Sequence, residues 1–305
     1  MRVLVTGASG LLGLNLCYRK YQEVDIIGVV NRNPLPSAPF QTIQADLLEK
    51  NSIDKLIDLA KPDFFIHCAA LAGIDRCEQL PDLAYRMNAD LPGEIAESCS
   101  RHAIGLAYFS TDAVFDGVSG GYKENDPPNP LSVYARSKLA GEQNVIEVFD
   151  KVLIPRVNFY GHSLDGERSL AEYFLYHLLQ GKRVCGFKDV FFCPLYVTDL
   201  VDILFYMIQR GLNGIYHVVS METLSKYEFG VRLAEKFSLE KKLIEAIPVE
   251  EGGLLAPRSH QLTLKVDKLI AAGIEVPGQA LGLDRFFKAY HDGYAKTIQS
   301  FIKKE

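Results

Sequence analysis

The sequence predicts an α/β protein: a doubly wound parallel sheet with a smaller, interleaved C-terminal lobe. Three observations carry this. Short β-rich runs alternate with helix-length segments through the first half of the chain. The glycine-rich stretch TGASGLLG, residues 6–13, lies between the apolar run Val3, Leu4, Val5 and a helix-like stretch, so its glycines fall where a strand turns into a helix. Beyond residue 155 the alternation loosens, which marks the start of a second unit.

Residues 2–6, 25–30, 42–45, 64–69, 104–110 and 152–155 read as strands. Between them, Ile53, Leu56, Ile57 and Ala60 form one apolar helix face, Leu91, Ile95, Ala96 and Cys99 a second, and Leu139, Ala140, Val145 and Val148 a third. A loop at 158–167, a helix over 169–180 and a short strand at 183–186 follow. A helix at 197–210 and a buried strand at 214–219 return the chain to the main sheet. The expected division is therefore a dinucleotide-binding domain over 1–157, rejoined by 192–220, and a lobe drawn mainly from 158–305 that holds the substrate.

A chain of 305 residues, 48% of them hydrophobic, can bury a large core. The net charge of -5 comes from mixed charges without long basic runs, so neither nucleic acid nor an anionic membrane surface is indicated. No apolar run approaches the roughly 20 residues that span a bilayer. The chain enters a strand at once rather than through a signal peptide, and a cytoplasmic protein is expected. The six cysteines form no C-x-x-C pair and lie mostly among apolar residues, as buried thiols in a reducing compartment do. His67, His102, His162 and His217 lack metal-ligand spacing, so no metal is expected.

Ligands in open α/β sheets bind at the carboxyl ends of the strands, where the glycine turn, residues 68–70 and residues 110–112 all fall. Gly7 suits the tight turn, Gly10 lets backbone approach a pyrophosphate, and Gly13 lets the helix pack close to the strand. Ser9, Leu11 and Leu12 share that turn. In YARSK, Tyr134 and Lys138 are four apart and so share a helix face, one turn from each other. A cation there favours phenolate over phenol, which would let Tyr134 exchange a proton near neutral pH. Ser110 or Thr111, with Thr111 preferred, is placed to donate a hydrogen bond to a carbonyl oxygen as it gains negative charge.

With TGASGLLG, the Asp46-Leu47 pair, HCAA at 67–70, FSTDAVFDG at 109–117 and YARSK, the chain resembles the extended short-chain dehydrogenase/reductase family over most of its length. The subgroup it most resembles is dTDP-4-dehydrorhamnose reductase. This rests on HCAALAGIDRCE at 67–78, the run 130–142, CPLYVTDLVD at 193–202 and the Pro257-Arg258 pair ahead of 262–269. The resemblance implies a Rossmann sheet and a catalytic set of Thr111, Tyr134 and Lys138, with Tyr134 as general acid in reduction. It also implies cofactor contacts at Gly7, Gly10, Gly13, Asp46, Ala69 and Ala70, to which Asn31, Arg32, Leu47 and Cys68 are added as neighbours. Asn88 resembles the family's helix-bending asparagine, which organises water near the catalytic lysine.

The second strand ends Val29-Val30-Asn31-Arg32 without the acidic residue that would bind a ribose 2′-hydroxyl, and Arg32 suits a 2′-phosphate, so NADP is favoured over NAD. Ala113 stands where related 4,6-dehydratases carry a glutamate, which argues against that elimination. Asp112 is expected to orient substrate and Arg258 to bind the diphosphate of a nucleotide sugar. The expected activity is NADPH-dependent reduction of a keto group on a nucleotide-linked sugar, in particular a dTDP-4-keto-6-deoxy sugar. Two alternatives stay open: a non-catalytic regulatory subunit resembling that of methionine adenosyltransferase, and a nucleotide-sugar epimerase. The resemblance also suggests a homodimer through the helices at 90–101 and 132–149.

Overall fold

The computed structural model describes residues 1–302. The first half lays down β1 (Arg2–Thr6), β2 (Asp25–Val30), β3 (Gln41–Gln44), β4 (Phe64–His67), β5 (Gly105–Tyr108), β6 (Ser110–Thr111) and β7 (Leu153–Val157). Between these strands run α1 (Leu11–Lys20), α2 (Ser52–Ala60), α3 (Ile74–Gln79), α4 (Pro81–Tyr85), α5 (Leu91–Arg101) and α6 (Val133–Val148). The second half adds β8 (Phe159–Tyr160), β9 (Val184–Phe187), β10 (Phe191–Phe192), β11 (Leu195–Tyr196), β12 (Gly214–Val218), β13 (Leu224–Ser225), β14 (Ile244–Ile247) and β15 (Gln261–Leu262). Its helices are α7 (Leu170–Leu179), α8 (Val197–Gln209), α9 (Lys226–Lys236), α10 (Asp267–Ala271), α11 (Gln279–His291) and α12 (Tyr294–Ser300). No helix among the described residues is long and apolar enough to cross a membrane.

The main sheet runs β12-β7-β5-β4-β1-β2-β3 with every pair parallel; helices carry most of the crossovers and bury both faces of the central strands, while β2 passes to the edge strand β3 through a loop. Val3, Leu4 and Val5 are fully buried, as a central strand with apolar residues on both faces must be. The apolar stripes of α2 and α5 are buried at every position named above, and each such side chain contributes about 1.5–3 kcal/mol. The α5 stripe is therefore spent inside the chain rather than offered to a second copy.

Three local expectations are corrected. The run expected at 64–69 ends as a strand at His67, because the chain peels away over β1 after Cys68 N–H donates to Thr6 O at 3.2 Å. The run expected at 104–110 breaks at Phe109: β5 pairs with β4, whereas β6 pairs with β7, Ser110 lying opposite Arg156. On α6 the buried side carries Ala135, Lys138, Gly141, Glu142 and Val145, while Val148 is exposed. The apolar pattern misphased this helix because its buried face is partly polar.

That polar contact is a bidentate ion pair. Arg156 on β7 donates from Nε to Glu142 Oε1 at 2.9 Å and from Nη2 to Oε2 at 2.7 Å, with both side chains at most 3% exposed. The guanidinium also lies 5.1 Å from the Phe115 ring centre. Gly141 lets α6 come close beside the pair, since a Cβ there would lie 2.1 Å from Asn88 O.

In the second half, β8 pairs with β11, β9 with β14, and β10 with both β13 and β15. Ser169 with Glu172, and Ser225 with Glu228, form capping boxes at the starts of α7 and α9. α8 packs on α1, where Arg19 and Lys20 both pair with Asp202. The last helix also returns to α1: Tyr294 Oη donates to Asn15 Oδ1 at 2.9 Å, and the Phe301 ring packs on Tyr18.

Replacing Glu142 with Ala leaves Arg156 buried beside no counter-charge and should lower unfolding stability by about 3–5 kcal/mol in a denaturant titration. A double exchange to two apolar residues of matching volume should recover most of the loss.

Candidate active site

The glycine turn is built by necessity. Gly7 has φ +70, and a Cβ there would lie 2.8 Å from Ala69 N, so both the backbone angle and the space demand glycine. A Cβ on Gly13 would lie 2.3 Å from Gly7 O, so only glycine lets α1 start this close to β1. Gly10 caps α1 without any side-chain bond, which leaves the first amides of the helix facing the groove.

A groove follows the carboxyl ends of the strands from this turn in two compartments that share Ala69 and Ala70. One is lined by Gly7, Ser9, Asn31, Arg32, Asp46 and Leu47. Asn33, Leu48, Leu71, Arg76, Leu83 and Met87 also line it and were not anticipated. The other is lined by Gly10, Leu11, Leu12, His67, Cys68, Ser110, Tyr134 and Lys138, together with Phe109, Val157, Phe159 and Arg168. Arg168 comes from the second half of the chain, where no motif marks it; it reaches Ser9 O and pairs with Asp165.

α6 is fixed at its first turn by Ser132 Oγ, which accepts from Ala135 N, and by Glu78, whose carboxylate accepts from Val133 N at 2.7 Å. Tyr134 and Lys138 therefore face β6. Thr111 Oγ1 accepts from Ala113 N at 3.2 Å, donates to Asp112 Oδ1 at 3.0 Å and shares a hydrogen bond with the Tyr134 hydroxyl. Thr111 thus caps a turn and touches the phenol at once. Asp112 also accepts from Asn158 Nδ2 at 2.6 Å, and burial raises its carboxyl to about 6, opposed by these bonds and by the charge of Lys226.

The proton states differ from the sequence expectation. Burial raises the Tyr134 phenol above its ordinary range, with Thr111 opposing, and Lys138 does not pull it down. Instead burial lowers the Lys138 ammonium to about 7, opposed by Glu142 and Cys68. The phenol is held protonated while the lysine is poised between its two forms. Lys138 Nζ lies 4.0 Å from the Tyr108 ring centre.

Two other expected residues sit apart from the groove. Asn88 lies in a single π turn at Arg86–Asp90. Its amide clamps the Leu71 backbone from both sides and bonds Ser137 Oγ, so it positions the loop after β4. Its carbonyl accepts from Tyr108 Oη at 2.8 Å. Arg258 is tied to Asp75 at 2.8 Å and to Ala256 O, and lines neither compartment. Lys226, at the start of α9, was missed; it feels the charges of Arg258 and Asp112.

This fold is that of an oxidoreductase of the extended short-chain dehydrogenase/reductase type. The chain belongs to the family described as the RmlD substrate binding domain, whose model matches residues 1–291. A probable low-salt glycan biosynthesis reductase of Haloferax volcanii is 30% identical over 276 residues, covering 88% of this chain and 91% of the relative. Methionine adenosyltransferase 2 subunit beta of Danio rerio is 30% identical over 288 residues, covering 90% of this chain and 86% of the relative. Among solved structures, dTDP-4-dehydrorhamnose reductase from Bacillus anthracis in complex with NADP superposes with a TM-score of 0.85 at 28% identity, covering 94% of this chain and 98% of that one.

Because the folded-state pKa of Lys138 lies below its unfolded value, its burial costs stability most fully below pH 7, and the cost fades as pH rises from there to the unfolded value of about 10.4. Lys138→Met should therefore stabilise the fold by on the order of 1–3 kcal/mol at pH 6, less at pH 9 and not at all above about pH 10.5. Denaturant titrations at the three pH values check this.

Proposed function

We propose that this protein reduces a keto group on a nucleotide-linked sugar with NADPH, in particular a 4-keto-6-deoxy sugar carried on dTDP, with NADH as the poorer donor. The observation that carries the reading is the meeting of Tyr134 and Lys138, with Thr111 bonded to the Tyr134 hydroxyl, on a groove that begins at the glycine turn. The groove suits a dinucleotide because Gly7 and Gly13 form a cradle that a Cβ would fill, and Ser110 Oγ and His67 Nε2 are buried polar atoms without partners along its lining.

Asn31, Arg32, Asp46 and Leu47 would hold the adenosine end, with Arg32 and Arg76 supplying charge for a 2′-phosphate. The amides around Gly10, Leu11 and Leu12 would meet the pyrophosphate, with Arg168 above it. Tyr134 and Lys138 would hold the nicotinamide ribose. A bound nicotinamide supplies the hydride.

Tyr134 would donate to the substrate oxygen, and Thr111 would do so once its hydroxyl proton turns from Asp112 to the substrate. Tyr134 then transfers its proton to that oxygen as the carbonyl becomes an alcohol, and Lys138 returns a proton to the phenolate. The raised phenol pKa serves this direction, because the acid is loaded before each turnover. Asp112 and Asn158 would accept and donate to sugar hydroxyls at the mouth of the site. Lys226 and Arg258, which interact electrostatically, would face the diphosphate. Ala113 offers no carboxylate for the elimination that a dehydratase performs.

A regulatory subunit is the second reading, favoured by the likeness to methionine adenosyltransferase 2 subunit beta over 90% of this chain. Nicotinamide oxidation with dTDP-4-keto-6-deoxy sugars separates the two: a reductase turns over alone, whereas a regulatory subunit binds the dinucleotide without consuming it. Tyr134→Phe should lower kcat by about 10²- to 10⁴-fold while leaving NADPH affinity nearly unchanged. Arg32→Ala should shift preference from NADPH towards NADH.

A further inference from the structure

His67 ends β4 directly beneath the groove and is 2% exposed. Its Nδ1 lies 2.7 Å from Thr6 Oγ1, and its Nε2 has no partner although the side chain lines the same compartment as Tyr134 and Lys138. His67 and Tyr108 lie opposite each other in register on β4 and β5, with their rings stacked at 6.1 Å. Lys138 Nζ sits over that same Tyr108 ring. A buried nitrogen without a partner is costly, and this one belongs to a side chain that shares its compartment with the lysine that the proposed reaction uses.

Burial holds the imidazole neutral, at about 3, so one of its nitrogens carries a proton and the other a lone pair. Thr6 Oγ1 already accepts from Ala69 N at 3.5 Å and can take a second bond, from His67 Nδ1–H. In that tautomer the lone pair falls on Nε2. The Asn88 carbonyl, the other acceptor expected beside the lysine, is taken by Tyr108 and crowded by Gly141.

We propose that His67 is a positioning residue for Lys138: its Nε2 accepts a hydrogen bond relayed through one water from the Lys138 ammonium, and holds that ammonium where it can reprotonate Tyr134. Only the reprotonation rests on the reductase reading; the contact itself does not. The charged and titratable groups that act on Lys138 are Glu142, one turn along α6 and paired with Arg156, Cys68 on the loop after β4, and His67 itself. Tyr108 meets it through its ring face.

The test is a carbon-13 NMR titration of protein labelled at lysine Cε, with the Lys138 signal assigned by its loss in Lys138→Met. It compares wild type with His67→Leu and His67→Gln, whose amide oxygen can reach the place of Nε2. Loss of the acceptor should lower the Lys138 midpoint by about one unit, a tenfold change in its proton affinity, in His67→Leu. His67→Gln should restore it. Should His67→Leu not fold, His67→Asn, whose amide is too short to reach, takes its place. An unchanged midpoint in the Leu or Asn variant overturns the proposal, as does an equal drop in the Gln variant. The titration needs no substrate, so a wild-type protein that reduces no keto sugar would defeat the reductase reading alone. Where turnover is present, the alkaline limb of the kcat profile should move with the NMR midpoint while KM for NADPH stays constant.

Discussion

The buried pair of Glu142 and Arg156 is the constraint on which the site depends. β6 has only two residues and pairs with β7, where Arg156 faces Ser110; α6 carries Tyr134, Lys138 and Glu142 at successive turns of one face. A bidentate bond between the third of these and β7 fixes the helix against rotation and sliding, and so sets the phenol beside Thr111. Two apolar residues could hold the helix as firmly, and often more so, but apolar contacts tolerate small slips that a two-point ionic fork does not. The close approach at Gly141 tightens the same contact from the neighbouring side.

Burial then sets the proton states of the groups that this frame brings together. The same exclusion of water keeps the tyrosine protonated and brings the lysine to the edge of losing its proton, because one group is charged when deprotonated and the other when protonated. Asp112 is moved the same way as the tyrosine but less far, since Asn158, Thr111 and Lys226 stabilise its charge. A single low-dielectric cleft thus tunes an acid and a base in opposite senses.

Much of the fold was legible in the sequence because its signals are local. The glycine turn could be read because steric demands at Gly7 and Gly13 arise within a few residues, and β1 and β2 because apolar runs bounded by turns leave little choice of frame. The grouping of Tyr134 and Lys138 follows from helix geometry alone. What escaped was non-local. The polar face of α6 exists only because Arg156 lies across from it, and the break at Phe109 falls where pairing along β7 passes from β5 to β6. Arg258 is claimed by Asp75, 183 residues away, and Arg168 reaches the glycine turn from 159 residues downstream. No periodicity encodes such pairings.

The two ends of the described chain meet on α1. Tyr294 bonds Asn15, Phe301 packs on Tyr18 and Phe40, and Ser37 N–H donates to Phe301 O, so the loop behind Arg32 leans on residues far downstream in the chain. Contacts of such long sequence separation form late and slow folding. The first half therefore cannot complete its packing by itself: the outer surface of its opening strand–turn–helix is sealed only when the distant segment around Tyr294 and Phe301 docks on it.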